Sequence, residues 1–465
     1  MFRFFNRYWS KPTTILLAVE ATLLLISIWI AFILRFPHRR DDLYLDPGFW
    51  LRAAIFIMIV CSSLYFNGLY DLKEHQGARR VAIRLARSLS FAALALWTVY
   101  YVFPSVFMGR GVSALAFLSA GVLLGTSRLI FVWVLERRLL LEKILIVGSD
   151  AGAQELAQEI LSRSHLGFRV LGFVDDDETV QGVSVVNPRV IGKTADVCPL
   201  AVANQATLVV VAQRDLRGRL SLEGLLACKT SGIQVERGPE FLERLTGKIA
   251  LDGLRIKSWL VFSKGFVISP TVVFWKRVLD VSVALVAMLL SLPCMVLAAL
   301  AIRFDSPGSI LYRQERVGRD GKVFSVWKFR SMRSDAEAGG EARWAAKEDP
   351  RVTRVGRWIR KFRIDELPQL WNILVGDMSL VGPRPEREAF VHRLTDFNPL
   401  YKQRLVVRPG LTGWAQIQAP YAASFEESIE KLQFDLYYIK NMSVFLDLSI
   451  LVSTIRIVLL GRGAQ

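Results

Sequence analysis

The sequence predicts a membrane α/β protein with three parts: an N-terminal bundle of four transmembrane helices, a Rossmann-like cytoplasmic module, and a second α/β domain with a re-entrant membrane helix. Four long apolar stretches precede residue 140. Strand and helix patterns alternate after residue 141, and another apolar segment with basic flanks begins near residue 280. The predicted domain boundaries are therefore 1–140, 141–268 and 269–465.

The composition limits what the chain can bind. Of its 465 residues 52% are hydrophobic, and its net charge is +17. An apolar, basic chain suits anionic membrane lipid or a phosphorylated substrate, and the absence of a DNA or RNA motif argues against nucleic acid. The four cysteines are scattered without a CxxC pair, so neither disulfides nor zinc are predicted. A metal would be held by carboxylates and phosphate, which favours Mg²⁺.

Each of the four N-terminal apolar stretches approaches the ~20 residues that a helix needs to cross a bilayer. They lie at roughly 13–35, 50–69, 88–107 and 112–135. The first is expected to be an uncleaved anchor. The positive-inside rule places the basic flanks in the cytoplasm. These flanks hold Arg3, Arg7, Lys11, Lys73, Arg79, Arg80, Arg84, Arg87, Arg137, Arg138 and Lys143. Residues 38–46 and 108–110 then face outward, and the chain after residue 136 begins on the cytoplasmic side.

Two charged residues lie well inside the predicted spans, away from the span ends: Glu20 in the first and Arg128 in the fourth. At the helical rise both would lie about 10 Å deep. Because an unpaired charge inside the bilayer is costly, we hypothesise that the two side chains pair with each other. Snorkelling of Arg128 towards the cytoplasmic surface is the alternative.

The module from residue 143 has the pattern of a Rossmann-like unit. Strands are predicted at 143–148, 168–174, 207–212 and 233–236, and a helix at 151–162. Its phosphate loop, Gly148 to Ala153, departs from GxGxxG because Asp150 occupies the second glycine position. We therefore favour a structural or dimerisation module, or a nucleotide sensor, over cofactor binding, and a homodimer through this module is one arrangement that the sequence allows.

The apolar segment at 281–302 is long enough to cross the membrane, but crossing would export a basic domain. Pro293 at its centre removes a backbone hydrogen bond and forces a kink at the carbonyl of Leu289, which Ser291 can reach. We expect a re-entrant helix that enters and leaves on the cytoplasmic face. A kinked fifth span is the alternative. Val444 to Leu460 is expected to be an interfacial helix.

The stretch KFRIDELPQL at 361–370 sets two adjacent carboxylates, Asp365 and Glu366, behind a run of arginines. Pro368 suits the first turn of a helix, which places Asp365 near the N-cap. Leu367, Leu370, Trp371 and Leu374 would form the buried side. The helix N-terminus and the nearby basic residues would attract a phosphate. A capping aspartate beside a solvated basic flank is the alternative.

Eight short motifs in the C-terminal part follow one another in a fixed order. They are DSPGS at 305–309, YRQERVG at 312–318, WKFRSM at 327–332, DPRVT at 349–353, KFRIDELPQL at 361–370, GDMS at 376–379, VGPRP at 381–385 and RPGLTGW at 408–414. This series resembles the bacterial sugar transferases called polyprenyl-phosphate hexose-1-phosphate transferases, from about Phe274 to the C-terminus. ARWA at 342–345 and PYAAS at 420–424 resemble the branch that initiates exopolysaccharide synthesis.

The resemblance implies an enzyme of the bacterial inner membrane with its catalytic domain on the cytoplasmic face. Asp365 would attack the sugar-linked phosphorus of a UDP-sugar, expel UMP and form an aspartyl sugar-phosphate. Undecaprenyl phosphate would then accept the sugar-phosphate. Glu366 would hold Mg²⁺, because successive helical residues point in different directions.

Positive side chains would offset the phosphate charge, since a carboxylate is a weak nucleophile. The candidates are Arg360, Arg384, Lys328 and Arg330. In the resembling family the membrane kink is usually Ser-Pro, whereas Leu292 here separates Ser291 from Pro293. That departure leaves the role of Ser291 open.

Two other functions compete with this interpretation. A membrane nucleotide-sugar dehydratase has the same N-terminal layout, but it needs an intact dinucleotide loop and a Tyr-x-x-x-Lys pair, and the sequence has neither. A non-catalytic scaffold of a polysaccharide export complex would not need Asp365, Glu366 and the arginines.

Overall fold

The computed structural model describes residues 2–4, 7–9, 11–37, 48–70, 78–136, 141–163, 167–212, 221–251, 265–333, 351–419 and 424–459. They form two compact units, residues 8–238 and residues 239–465. Short strands β1 (Phe2–Phe4) and β2 (Arg7–Trp9) open the chain. The loop predicted to face outward at 38–46, the basic residues Lys73, Arg137 and Arg138, and the segments 342–345 and 420–423 lie outside the described residues.

Four apolar helices begin the first unit. They are α1 (Lys11–Arg35), α2 (Phe49–Phe66), α3 (Ala78–Val102) and α4 (Arg110–Glu136). Their buried side chains form one apolar cluster, to which Leu24, Phe56, Leu96 and Leu124 each contribute from a different helix. Each helix is long and apolar enough to cross a membrane.

The third helix begins at Ala78 rather than near residue 88, as the hydropathy predicted, because its first turns carry arginines while remaining helical. Hydropathy therefore located the apolar part of α3 and missed its basic first turns. The arginines of the predicted flank, Arg79, Arg80, Arg84 and Arg87, lie on this helix instead of in a loop.

The charges predicted inside the helices pair, as hypothesised. Arg128 Nε lies 2.5 Å from Glu20 Oε1, and Arg128 Nη2 donates to Glu20 Oε2 at 3.0 Å. Arg128 Nη1 also donates to the carbonyl of Leu69, and the guanidinium lies over the Tyr70 ring. Glu20 is 0% exposed and Arg128 5%, so the snorkelling alternative is wrong. The pair joins α1 to α4 and to the end of α2.

The rest of the first unit is a parallel five-stranded sheet in the order β5-β4-β3-β6-β7. Its strands are β3 (Glu142–Val147), β4 (Phe168–Val174), β5 (Val190–Gly192), β6 (Leu208–Val211) and β7 (Gln234–Arg237). The helices between them are α5 (Ala151–Ser162), α6 (Val197–Ala203) and α7 (Leu222–Thr230). The order reverses at β3, as in a doubly wound sheet, which agrees with the predicted Rossmann-like module.

The second unit begins at residue 239, within α8 (Gly238–Thr246). The next helix is α9 (Pro270–Asp305). Helix α9 has 36 residues, or about 54 Å at the helical rise, and Pro293 lies inside it. Ser291 Oγ donates to the carbonyl of Met288 at 3.3 Å, not to that of Leu289 as predicted. A serine hydroxyl in a helix bonds the carbonyl three or four residues before it, and Leu289 is only two residues before Ser291. The length and composition of α9 alone would allow it to span. The re-entrant path remains a prediction.

Three pairs of short or medium elements continue the second unit. Strands β8 (Leu311–Val317) and β9 (Val323–Phe329) form an antiparallel hairpin. Helices α10 (Arg354–Lys361) and α11 (Gln369–Val375) follow, and then β10 (Ser379–Val381) pairs in parallel with β11 (Gly410–Thr412). The remaining helices are α12 (Glu388–Phe397), α13 (Trp414–Gln418), α14 (Phe425–Lys440) and α15 (Val444–Leu459).

A buried polar cluster ties α9 to the strands and to the last two helices. Lys276 Nζ lies 2.6 Å from Asp447 Oδ2 and donates to the carbonyl of Val381 at 2.8 Å. Tyr438 donates to Asp447 Oδ1 at 2.7 Å, and Asp280 accepts from the Leu380 amide at 3.0 Å. Because a buried charge must be paired, these contacts hold α9, β10, α14 and α15 in one arrangement.

We predict that Glu20→Arg and Arg128→Glu, made singly, lower the folded yield of the protein in detergent, because each leaves like charges buried together. Breaking a buried pair typically costs about 3–5 kcal/mol. The double variant, which swaps the charges, should recover most of the yield and of the unfolding temperature. Arg79→Gln at the exposed start of α3 is the control and should change neither. A double variant no better than the single ones would contradict the pairing.

Candidate functional site

Asp365 and Glu366 lie in a single 3₁₀ turn, Ile364–Glu366, between α10 and α11. The predicted N-cap position for Asp365 is wrong, because Pro368 occupies the N-cap of α11. Arg363, the N-cap of this turn, lies two residues after α10 and adopts the left-handed region, with φ +54°. This conformation turns the chain sharply, and the two carboxylates that follow are buried.

The buried side of α11 agrees with the predicted one except at Trp371. Leu370 is buried, and Leu367 and Leu374 pack partly against the same core. Trp371, predicted to be buried, is 57% exposed. Asn372 takes the inner side instead, where its Nδ2 donates to the carbonyl of Ser325 at 2.7 Å and its Oδ1 accepts from a β9 amide. A polar residue thus faces inward because it fastens the helix to the hairpin.

Glu366 is the centre of a group of positive side chains. Its Oε1 accepts from Arg384 Nη2 at 2.8 Å and lies 3.7 Å from Lys328 Nζ, while its Oε2 accepts from Arg363 Nη1 at 3.4 Å. Burial opposes ionisation of this carboxyl, yet Arg384, Lys328 and Arg363 together hold its pKa well below the usual range. Burial lowers the pKa of Lys328 to about 8, with Glu366 opposing. Glu366 is therefore a fixed negative charge.

Asp365 has a different environment from its neighbour. It is buried, and among the described residues its carboxylate has neither a hydrogen bond nor an ion pair. Burial, and then the charge of Glu366, raise its pKa to about 6, while Lys328, Arg360 and Arg384 act in the opposite direction. Its oxygens therefore keep their lone pairs available, near several positive side chains and largely away from bulk water. This is the setting of a carboxylate nucleophile.

The structure brings together most of the predicted site residues. Lys328 and Arg384 contact Glu366, and Arg360, in the last turn of α10, acts electrostatically on Asp365. Arg363, one of the basic residues expected beside the two carboxylates, also joins the group through its contact with Glu366. It lies three residues before Glu366, a spacing that favours such a pair.

Arg330 is turned to a different part of the second unit. Its Nη1 donates to the carbonyl of Pro307 at 2.9 Å and its Nη2 to the carbonyl of Ser306 at 2.7 Å. It is buried, and these bonds fasten the segment that follows α9 to the end of β9. These contacts of Arg330 are structural, and its role as a phosphate ligand stays a prediction.

The donor set at the site fits Mg²⁺ only with help from a substrate. The described residues contain no group of three or more His, Cys, Asp and Glu side chains that could hold a metal. Two adjacent carboxylates are available, and Mg²⁺ commonly binds one or two carboxylates together with substrate phosphates and water. The hard oxygen donors therefore fit this ion rather than zinc.

Two carboxylates, Asp175 at the end of β4 and Asp150 after β3, already bind amides of the loop that follows β3. Asp175 Oδ2 accepts from the Ser149 amide at 2.7 Å and from its hydroxyl at 2.6 Å. Asp150 caps α5 by accepting from the Ala153 amide at 3.0 Å. These amides are the donors that a pyrophosphate would use in a Rossmann fold, and both acceptors are acidic. The loop does not fit a bound pyrophosphate.

Comparisons with known proteins agree with the motifs. Residues 271–461 match a family profile described as "Bacterial sugar transferase", and residues 65–213 match one described as "CoA-binding domain". Because coenzyme A carries a pyrophosphate, the two carboxylates at the loop after β3 do not fit that ligand there.

Three curated relatives span different shares of the chain. The UDP-N-acetylgalactosamine-undecaprenyl-phosphate N-acetylgalactosaminephosphotransferase of Aeromonas hydrophila is 41% identical over 57% of this chain and 61% of its own. The undecaprenyl-phosphate glucose phosphotransferase of Komagataeibacter xylinus is 34% identical over 70% and 61%. The UDP-galactose-lipid carrier transferase of Erwinia amylovora is 31% identical over 85% and 82%. The chain thus spans less than two thirds of the length of the first two.

We predict opposite stability changes for the two neutralised carboxylates, measured by thermal unfolding with a chelator present. Asp365→Asn removes a buried charge that has no partner and should stabilise the fold by about 1–3 kcal/mol. Glu366→Gln leaves three positive side chains without their counter-charge and should destabilise it by a similar amount. Asp396→Asn on the exposed side of α12 is the control. Equal changes for both substitutions would contradict this division.

Proposed function

Because the chain belongs to the bacterial sugar transferase family, we propose that it transfers a hexose-1-phosphate from a UDP-sugar to undecaprenyl phosphate and releases UMP. The observation that carries the proposal is the unpaired, buried carboxylate of Asp365 beside a Glu366 that is surrounded by positive side chains. The three relatives act on different sugars by their names, so the sugar is not part of the proposal.

In the first half-reaction, a carboxylate oxygen of Asp365 attacks the sugar-linked phosphorus of the UDP-sugar. The bond from that phosphorus to the bridging oxygen breaks, its electron pair leaves with UMP, and an aspartyl sugar-phosphate forms. In the second, a phosphate oxygen of undecaprenyl phosphate attacks the same phosphorus and the Asp365 carboxylate departs. The product is undecaprenyl-diphospho-sugar. Each step exchanges one P–O bond for another, so no oxidant or reductant is required.

The positive side chains would stabilise the phosphate charge during both steps. Arg384 and Lys328 contact Glu366, and an entering pyrophosphate would compete with that carboxylate for them. Arg360 would act on the nucleotide side, close to Asp365. Planar guanidinium groups suit a diphosphate because they donate two parallel hydrogen bonds. The charge on Glu366 keeps these cations together until the substrate arrives.

Glu366, with phosphate oxygens of the substrate, would hold Mg²⁺, which when bound would neutralise charge on the pyrophosphate. This assignment rests on the hard oxygen donors of the site. Asp365 keeps its role as nucleophile because its oxygens are not engaged by the basic residues.

We also propose the placement in the membrane. Helices α1–α4 and α9 would sit in the bacterial inner membrane, with α9 re-entrant from the cytoplasmic face. The parallel sheet of the first unit and the site of the second unit would lie on the cytoplasmic side. The basic flanks and the charge of the segment after α9 support this orientation. Motif resemblance supports a role at the start of exopolysaccharide synthesis. The lipid phosphate would then meet Asp365 at the membrane surface.

We expect the purified full-length protein to release UMP from at least one UDP-sugar when undecaprenyl phosphate and Mg²⁺ are present. Asp365→Asn should reduce the rate to background, because an amide cannot form the acyl phosphate. Asp396→Asn, an exposed aspartate of the second unit, should retain the wild-type rate.

A panel of UDP-sugars, assayed with and without a chelator, completes the experiment. The chelator should abolish the release of UMP, and added Mg²⁺ should restore it. Wild-type activity in Asp365→Asn would contradict the nucleophile, and an inert wild type with every UDP-sugar would contradict the proposed reaction.

A further inference from the structure

The backbone that presents Arg384 to the site is short of hydrogen-bond donors. Pro383 and Pro385 stand on either side of Arg384, and neither has an N–H group. Buried carbonyl groups must still find donors. The segment 381–386 therefore depends on groups elsewhere in the second unit to fix its path.

Two arginine side chains and one backbone amide supply these donors. Arg404 Nη2 donates to the carbonyl of Arg384 at 2.9 Å, and Arg316 Nη1 donates to that of Pro385 at 3.1 Å. The Gly410 amide donates to the carbonyl of Pro383 at 2.9 Å. Arg404 thus binds the backbone of Arg384, the residue whose side chain contacts Glu366. By holding that carbonyl, Arg404 influences where the Arg384 guanidinium lies.

Arg404 is itself rigidly held. Its Nη2 lies 2.9 Å from Asp435 Oδ2, and its Nη1 donates to the Tyr401 hydroxyl. Arg404 is 7% exposed and Asp435 is 2% exposed, so the ion pair is shielded from water. The Tyr401 ring also lies under the guanidinium. A buried pair with these additional hydrogen bonds specifies one geometry.

We propose that Arg404, held by Asp435, is a positioning residue for the transfer reaction: it fixes the carbonyl of Arg384 so that the Arg384 guanidinium meets Glu366 and the substrate pyrophosphate. The inference rests on the proposed function for its kinetic consequence. Its structural content, a coupling from Arg404 through Arg384 to Glu366, does not depend on which sugar is transferred.

Arg404→Lys is the informative substitution. An ammonium keeps a positive charge near Asp435, but it cannot reach Tyr401, Asp435 and the Arg384 carbonyl with the geometry of a guanidinium fork. We expect kcat/KM for the UDP-sugar to fall about tenfold or more, because small displacements of a positioning group cost large factors in rate. Lys402→Gln, at an exposed position of the 3₁₀ helix Pro399–Val406 that also contains Arg404, should leave kcat/KM unchanged.

A double-mutant cycle with Arg384→Met separates positioning from general damage. If Arg404 acts through Arg384, then Arg404→Lys should change kcat/KM less than about twofold once Arg384→Met is present. The same loss in both backgrounds would overturn the proposal. Asp435→Asn, which keeps an acceptor for Arg404, provides a milder second variant if Arg404→Lys does not fold.

A second cycle tests the coupling without using activity. Unfolding temperatures are measured for Arg404→Lys, Glu366→Gln and their combination in the full chain. We expect a combined change smaller than the sum, because the Arg384–Glu366 contact is lost only once. Strict additivity would contradict the coupling. If wild type released no UMP, the proposed function would fail, and this cycle would still decide the positioning role.

Discussion

The ion pairs of Glu366 are the interaction on which the rest of the site depends. Arg384, Lys328 and Arg363 all direct positive groups at one buried carboxylate. Without the Glu366 charge these three partly buried cations would repel one another. With it they stay together as a positively charged group that attracts phosphate. The same group stabilises ionised Asp365, whose carboxylate is buried without a partner. The neighbouring carboxyls thus differ in pKa because one is surrounded by cations and the other is not.

The fold of the second unit serves to hold those cations in place. Lys328 comes from the hairpin strand β9, and Arg363 from the left-handed residue between α10 and the 3₁₀ turn. Arg384 comes from the segment between its two prolines. Buried polar contacts fix each source: Asn372 fastens α11 to β9, and Arg404 fastens the carbonyl of Arg384. The buried, unpaired carboxylate of Asp365 lowers the free energy of unfolding, and the surrounding hydrogen bonds raise it.

Sequence patterns predicted those parts of the structure in which local chemistry determines the outcome. The bounds of α5 and β4 coincide with the predictions because Asp150 caps one element and alternating apolar residues define the other. The Glu20–Arg128 pair followed from the cost of an isolated buried charge. Tertiary contacts decided the rest: Asn372 displaced Trp371 from the buried side of α11, and Arg330 bonded Ser306 and Pro307. Periodicity and motif order contain no information about such distant partners.

The central claim is that Asp365 becomes covalently attached to the transferred group. The most direct measurement is intact and peptide mass spectrometry of the full chain after incubation with a UDP-sugar and Mg²⁺ but no lipid acceptor, followed by acid quench. We predict one hexose phosphate on the peptide that contains Asp365, lost when undecaprenyl phosphate is added and absent from Asp365→Asn. An unmodified Asp365 peptide in a preparation that releases UMP, or an adduct on another residue, would contradict the account.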